Sequence, residues 1–182
     1  MMFVPLKTDG YYFMKVIDLY CRLFGADPRG IASQIRQHAA YPQYKGYIAL
    51  SGKQTVGYIY GYTSMKGQGY HELLAAHLQE AAGWLTDCME VAELGVHPGF
   101  RRQGTAQKLL DLLFDQRQEN KAVLTVRKNN YNAFAFYKKR GWEVIREGFY
   151  PNTANEFIIM GKHLRKMTLS LESPSVKKAS KD

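Results

Sequence analysis

Apolar positions recur with two different periods along this chain, and the switches between them outline its elements. Phe3–Lys7 reads as an opening strand. Phe13, Val16, Ile17, Tyr20, Cys21 and Phe24 then return at helical spacing, with Gly25 as the stop. "DPRG" restarts a helix that runs to about Ala40, with Asp27 capping it and Pro28 fitting its first turn. "YKGYIAL" and "TVGYIYGYTS" are rich in β-branched and aromatic residues and form a hairpin across "SGKQ". Gly57 and Gly61, inside the second strand, mark a bulge or a close approach by another backbone. Leu74, Leu78, Ala81 and Leu85 share one face of the helix that follows, and "MEVAELGV" is the next strand. Ala106, Leu109, Leu110 and Leu113 form a second apolar stripe, "AVLTV" a short buried strand, and "NAFAFYKKRG" a helix with Asn132 at its start and Gly141 past its end. "WEVIREGFY" and "NEFIIMGKHL" close the order as a strand pair around "PNTAN". Strands followed by helices, with a hairpin at each end, predict a mixed α/β sheet.

Composition changes this picture only at the margins. The 182 residues suit one domain, and the composition, 46% hydrophobic and 23% charged, is globular. No apolar run approaches the ~18 residues of a membrane span, and the first residues lack the pattern of a secretory signal. Cys21 and Cys88 make neither a disulfide framework nor a zinc cluster, which suits a reducing, cytoplasmic setting. The five histidines show no metal-ligand spacing, so no metal is expected. The net charge of +9 favours a polyanionic ligand. Part of it sits in a basic tail over 165–182, beyond a domain over 1–164. That tail reads as a solvated segment, and its "MTLSLES" alternates like an edge strand. An edge strand or a swapped tail is compatible with a homodimer. Nucleic-acid binding has no aromatic–basic recognition motif behind it.

The stretch "VHPGFRRQGTAQKLL" carries the chemistry. A helix starting after Gly104 leaves its first N–H groups without acceptors, and its dipole favours an anion there. Gly104 admits close approach, Ala106 stays clear, and Arg101 and Arg102 add positive charge. The turn ends in neither the G-K-[ST] of a P-loop nor the G-x-G-x-x-G of a dinucleotide fold, which argues against an ATPase or a nicotinamide enzyme.

The strand "AELGV" precedes this turn, and "LTVRKNNYNAFAFYKKRGW" follows it. The latter holds N-x-x-A-x-x-x-Y-x-x-x-G-W as Asn130, Ala133, Tyr137, Gly141 and Trp142. Together these motifs, over about Glu93 to Trp142, resemble the GNAT N-acetyltransferase superfamily. The order of elements extends the likeness over most of Phe3 to Leu164. The resemblance implies a mixed central sheet of about seven strands, splayed between its central strands and flanked by helices. It also implies acetyl-CoA as cofactor and an amine as acceptor. The turn from Arg101 through Arg102, Gln103, Gly104 and Thr105 to Ala106 would bind the CoA pyrophosphate. Leu94, Gly95 and Val96 would pair with the pantetheine arm. Asn130, beside Ala133, matches the family asparagine that contacts the CoA arm, and Tyr137 matches the tyrosine near the sulfur. The family often has glycine where Ala106 stands.

Acetyl transfer needs a proton acceptor for the amine, a donor for the oxyanion and a proton for the thiolate. The Val96 N–H is the natural oxyanion donor and Tyr137 the natural acid, although Phe134, Phe136 and Tyr137 also suit core packing. Glu93 stands where many small-molecule members carry a glutamate, and Glu90 where histone-type members do. Side chains alternate along a strand, so without a bulge these two face opposite ways. Cys88 reads as a small buried cysteine rather than an acyl carrier. His71 and His77 read as surface residues that a cleft could recruit. Tyr58, Tyr60 and Tyr62 line one face of a strand, either as core or as an aromatic wall for the acceptor. The helix around His71–Leu85 would wall in a small acceptor, which favours a small-molecule amine. Acetylation of protein N-termini or lysines is the alternative. A non-catalytic CoA-binding or nucleic-acid-binding protein is a third reading, which a retained Tyr137 and strand glutamates disfavour.

Overall fold

The computed structural model describes residues 1–164; the basic tail, with its expected edge strand, lies outside the described residues. Twelve elements follow one another as β1 (Met2–Pro5), α1 (Gly10–Phe24), α2 (Pro28–Ala39), β2 (Lys45–Ser51), β3 (Gln54–Thr63), α3 (Gly69–Leu78), β4 (Cys88–Val96), α4 (Thr105–Phe114), β5 (Lys121–Arg127), α5 (Tyr131–Lys138), β6 (Glu143–Phe149) and β7 (Phe157–His163). Local chemistry sets several of these limits as expected. Gly25 ends α1 at φ +66°, and Asp27 Oδ2 accepts the Gly30 N–H at 2.7 Å to cap α2.

Two expected helix limits move. The apolar stripe from Leu74 to Leu85 predicts one helix, but α3 ends at Leu78 and a 3-10 helix covers Gln79–Leu85. The tighter turn lays the Trp84 indole on Gly161, where a Cβ would come within 2.6 Å of the ring. Helix α5 begins at Tyr131 rather than around Asn132. Asn130 is its cap, with Oδ1 accepting the Ala133 N–H at 3.2 Å.

All seven strands form one mixed sheet in the order β1-β2-β3-β4-β5-β7-β6. Helices α1 and α2 cover one half of a face over Tyr58, Tyr60 and Tyr62, and α3 covers the other half through Leu74 and Leu78. Helices α4 and α5 pack on the opposite face, through Leu109, Leu113 and Tyr137. The three tyrosines of β3 are 0% exposed, so they are core and not an acceptor wall. No described helix is long and apolar enough to cross a membrane.

The sheet opens at its centre. Strands β4 and β5 are its parallel neighbours, but they pair only as Cys88–Lys121, Met89–Ala122 and Glu90–Val123. Beyond Glu90, β4 stays with β3 alone while β5, paired with β7 along its whole length, stays with β7 alone.

Candidate functional site

The edge of β4 beyond Glu90 defines the site. His97 N–H donates to Val56 C=O at 2.8 Å, so Val96 and Gly57 form a non-hydrogen-bonded antiparallel pair. By the same register, the N–H and C=O groups of Val96 and Leu94 point away from β3, into the splay. The Val96 carbonyl there accepts Arg101 Nε at 3.1 Å. Gly95, between them, lies on Tyr58, where a Cβ would come 2.5 Å from the ring.

The turn after β4 is a backbone cradle. Arg102 sits at φ +59° and Gly104 at φ +80°, and Arg101, Arg102, Gln103 and Gly104 are all exposed. Gly104 caps α4 without a side chain, and a Cβ built there meets nothing within 4 Å. The first bond within the helix runs from Lys108 N–H to Gly104 C=O. The N–H groups of Thr105, Ala106 and Gln107 therefore have no acceptor inside α4. Thr105 is 2% exposed and anchors the turn, its hydroxyl donating to Phe100 C=O at 3.4 Å. Open space, free N–H donors and the positive end of a helix dipole fit a pyrophosphate. Asn130 and Ala133 lie across the splay at the start of α5, and the Asn130 side-chain oxygen is spent on its cap.

The two strand glutamates share one side of β4. Tyr60 pairs with Glu93 but Gly61 with Val91, so Ala92 is the extra residue of a β-bulge. Tyr62, whose side chain lies on the α1 side with that of Tyr60, donates from its hydroxyl to Glu90 Oε1 at 2.9 Å. The expectation for an unbulged strand, with the glutamates on opposite faces, is overturned. The glycine signal in β3 is accounted for at the same place, since a Cβ on Gly61 would collide with the Glu90 carbonyl oxygen.

Their environments differ. Glu90 is 3% exposed, and its Oε2 has no hydrogen-bond partner. Glu93 is half-buried, with Oε1 accepting the Tyr20 hydroxyl at 3.2 Å. Burial pushes both carboxyls up from the ordinary 4.5 to about 7; the bonds from Tyr62 and Tyr20 partly oppose this, and Glu90 adds repulsion at Glu93. Tyr70, at the start of α3, bonds Thr125 Oγ1 of β5 at 2.7 Å and senses the charge of both glutamates.

Tyr137 is 8% exposed, its ring edge-on to Phe136 and Trp142. Burial, then the Glu93 charge, raise its pKa above the usual phenol range, so it holds its proton. Its ring belongs to the core, as its neighbours suggested, while its hydroxyl lies within electrostatic reach of Glu93. Cys88 is a buried thiol whose pKa burial pushes up, which makes it inert. His71 is buried against Ser64 Oγ at 3.0 Å and lacks the surface position expected of it, while His77 is half-buried with Nε2 3.0 Å from Glu147 C=O. The described residues hold no cluster of His, Cys, Asp or Glu fit for a metal. Concavity alone would mislead: a cavity of about 640 Å³ lies between Phe114, Glu119 and His163, at the closed end of the β4–β5 pair.

Two residues of this region escaped the sequence reading. Tyr20 counted only as a helix-stripe residue, and Arg127 carried no motif signal. Each reaches the site through a partner distant in sequence.

The sequence profile described as the acetyltransferase (GNAT) family matches residues 13–142. Comparison with curated protein sequences finds no match. Among solved structures, nourseothricin acetyltransferase is 18% identical with a TM-score of 0.52, over 67% of this chain and 66% of its own. An aminoglycoside 6'-N-acetyltransferase complexed with coenzyme A is 13% identical with a TM-score of 0.65, over 90% and 97% of the two chains. Naa20 of Chaetomium thermophilum, complexed with a bisubstrate analogue, is 17% identical with a TM-score of 0.63, over 90% and 87%. At such identities the likeness speaks for the fold, and the profile match speaks for the family. The chain therefore belongs to the acetyltransferase (GNAT) family: it is an N-acetyltransferase with acetyl-CoA as cosubstrate.

Proposed function

We propose that the chain acetylates the primary amine of a small molecule, by direct transfer with both substrates bound. The supporting observation is the position of Glu93, half-buried on β4 just beyond its last pair with β5, with the Tyr20 hydroxyl on its carboxylate. Helix α3 supplies one wall there, which narrows the space left for an extended peptide. Acetyl-CoA brings the activated acetyl group. The N–H groups of Arg102 to Ala106 hold its pyrophosphate, and the Asn130–Ala133 segment flanks its arm.

Each residue then has one task. Glu93, raised to about 7, accepts the amine proton, directly or through water. The Val96 N–H, aimed into the splay, holds the acetyl carbonyl oxygen, where developing charge is stabilised most. Tyr137 keeps its proton at Oη and gives it to the departing sulfur. Glu90, sealed behind Tyr62, is too buried to meet an acceptor and acts on Glu93 through its charge.

A screen of small primary amines and N-terminal peptides with acetyl-CoA, read by release of free thiol, tests this function. Turnover of small amines is expected. Turnover confined to peptides would replace the small-molecule reading with protein acetylation, and thiol release with neither class would leave binding without transfer.

A further inference from the structure

We infer that Arg127 is a specificity residue that binds a carboxylate on the acceptor, so that the substrate is an amine bearing an acid group, such as a free amino acid. The inference rests on the small-amine reading above and narrows it.

Register places Arg127. Strand β5 pairs Val123 with Glu90 before the sheet opens, and Val123 packs on the α3 side. Side chains alternate, so Thr125 and Arg127 follow Val123 onto that side, and the bond between Thr125 and Tyr70 of α3 agrees. The bulge has turned Glu90 and Glu93 to the same side of β4. Glu93 and Arg127 therefore sit on the two arms of the splay, on one face of the sheet, each beyond the last residue that pairs β4 with β5.

The surroundings leave Arg127 with charge to spare. It is exposed, and its guanidinium makes no ion pair among the described residues. Its neighbour Lys128 is neutralised by Glu156 at 2.8 Å and Glu147 at 3.8 Å. The Arg127 guanidinium lies over the Phe157 ring, 5.9 Å from its centroid, a contact that does not use its donors. Its charge reaches Tyr20, the residue bonded to Glu93, and partly offsets the rise of that phenol's pKa. A cation on the arm of the splay that faces the base repels a polyamine and attracts a zwitterion. A planar guanidinium with free donors matches a carboxylate in bidentate geometry.

The test uses pairs of acceptors that differ only in the acid group: phenylalanine and phenylalanine amide, and leucine and leucine amide. The ratio of kcat/KM for acid over amide is measured in the parent, Arg127→Gln and Arg127→Lys. Comparing these ratios between variants cancels the difference in amine pKa within each pair. Arg127→Gln is expected to lower the ratio about tenfold or more, chiefly through KM of the acid, and Arg127→Lys to restore part of it. Acetyl-CoA affinity should stay the same in all three proteins, which also reports folding. An unchanged ratio in Arg127→Gln overturns the assignment while the small-amine reading stands. Failure of every acid and every amide, with peptides turned over instead, overturns both.

Discussion

Glu90 and Glu93 face the same side of β4 although three positions separate them. The bulge at Ala92 adds one residue to the strand, and Gly61 opposite has no side chain to resist it. Two carboxyls are thereby held on one face, and their pKa values rise together.

Gly61→Ala should break this relationship. The new Cβ would collide with the Glu90 carbonyl oxygen and crowd Met89 Cε at 3.1 Å, with backbone that cannot yield cheaply. A loss of roughly 1–3 kcal/mol of stability is expected, as for overpacking in a core, with a larger fractional loss of activity than of acetyl-CoA affinity. Thermal melts and calorimetry on the purified variant check both. Parent-like stability would show that the bulge relaxes without cost.

Gly104→Asp should weaken acetyl-CoA binding without unfolding the protein. The site is open, so nothing clashes, but a carboxylate would occupy the cradle meant for phosphate, and φ +80° strains any residue with a side chain. A loss of tenfold or more in affinity by calorimetry is expected. Unchanged affinity would place the pyrophosphate elsewhere.

Tyr137→Phe and Glu93→Gln should separate acid from base. Phe keeps the ring packing against Trp142 and loses only the hydroxyl. Its kcat should fall about 100-fold, the usual worth of general acid help, with acetyl-CoA affinity within a few-fold. In the parent, activity should rise with pH through about 7, as Glu93 becomes a carboxylate. Glu93→Gln should lose that limb and recover part of its rate at high pH, where more amine is already neutral. The pH–rate profiles of both variants decide this. A Tyr137→Phe enzyme at the parent rate across the range means that solvent protonates the thiolate.

Glu90→Gln should stabilise the protein above neutral pH. A carboxyl whose folded pKa is raised binds more protons folded than unfolded, so its contribution to stability falls as pH rises from about 4.5 to about 7. His38 acts in the opposite sense: burial lowers it from 6.5 to about 4, and stability is lost as pH falls through that window. The parent curve therefore mixes both signs, and only the difference between variant and parent isolates Glu90. That difference should grow from near zero below pH 4.5 to roughly 3 kcal/mol above pH 7, on the scale of the pKa shift. Denaturant melts at pH 4.5 and pH 8 measure it. A difference that does not depend on pH would mean Glu90 is not a buried acid.

What the sequence determined by itself were features whose causes lie within a few residues. Gly25 stops α1, Asp27 caps α2, and Gly104 opens α4 because each acts on its neighbours' backbone. The turn from Arg101 to Ala106 was legible as a helix start for the same reason, while the role expected of Tyr137 came from the family resemblance. Gly57 and Gly61 announced a close backbone approach, but not which strand would approach. Only the tertiary structure decided that Ala92 bulges and turns both glutamates to one side, because a bulge is a mismatch between two strands and neither one encodes it alone. Likewise, Tyr58, Tyr60 and Tyr62 became core once α1 and α2 closed over them, and the stripe from Leu74 to Leu85 broke at Gln79 to seat Trp84 on Gly161. Arg127 gained its place opposite Glu93 from strand register and from the point where β4 and β5 part. Those contacts join residues far apart in the chain, and their geometry exists only after the sheet has formed.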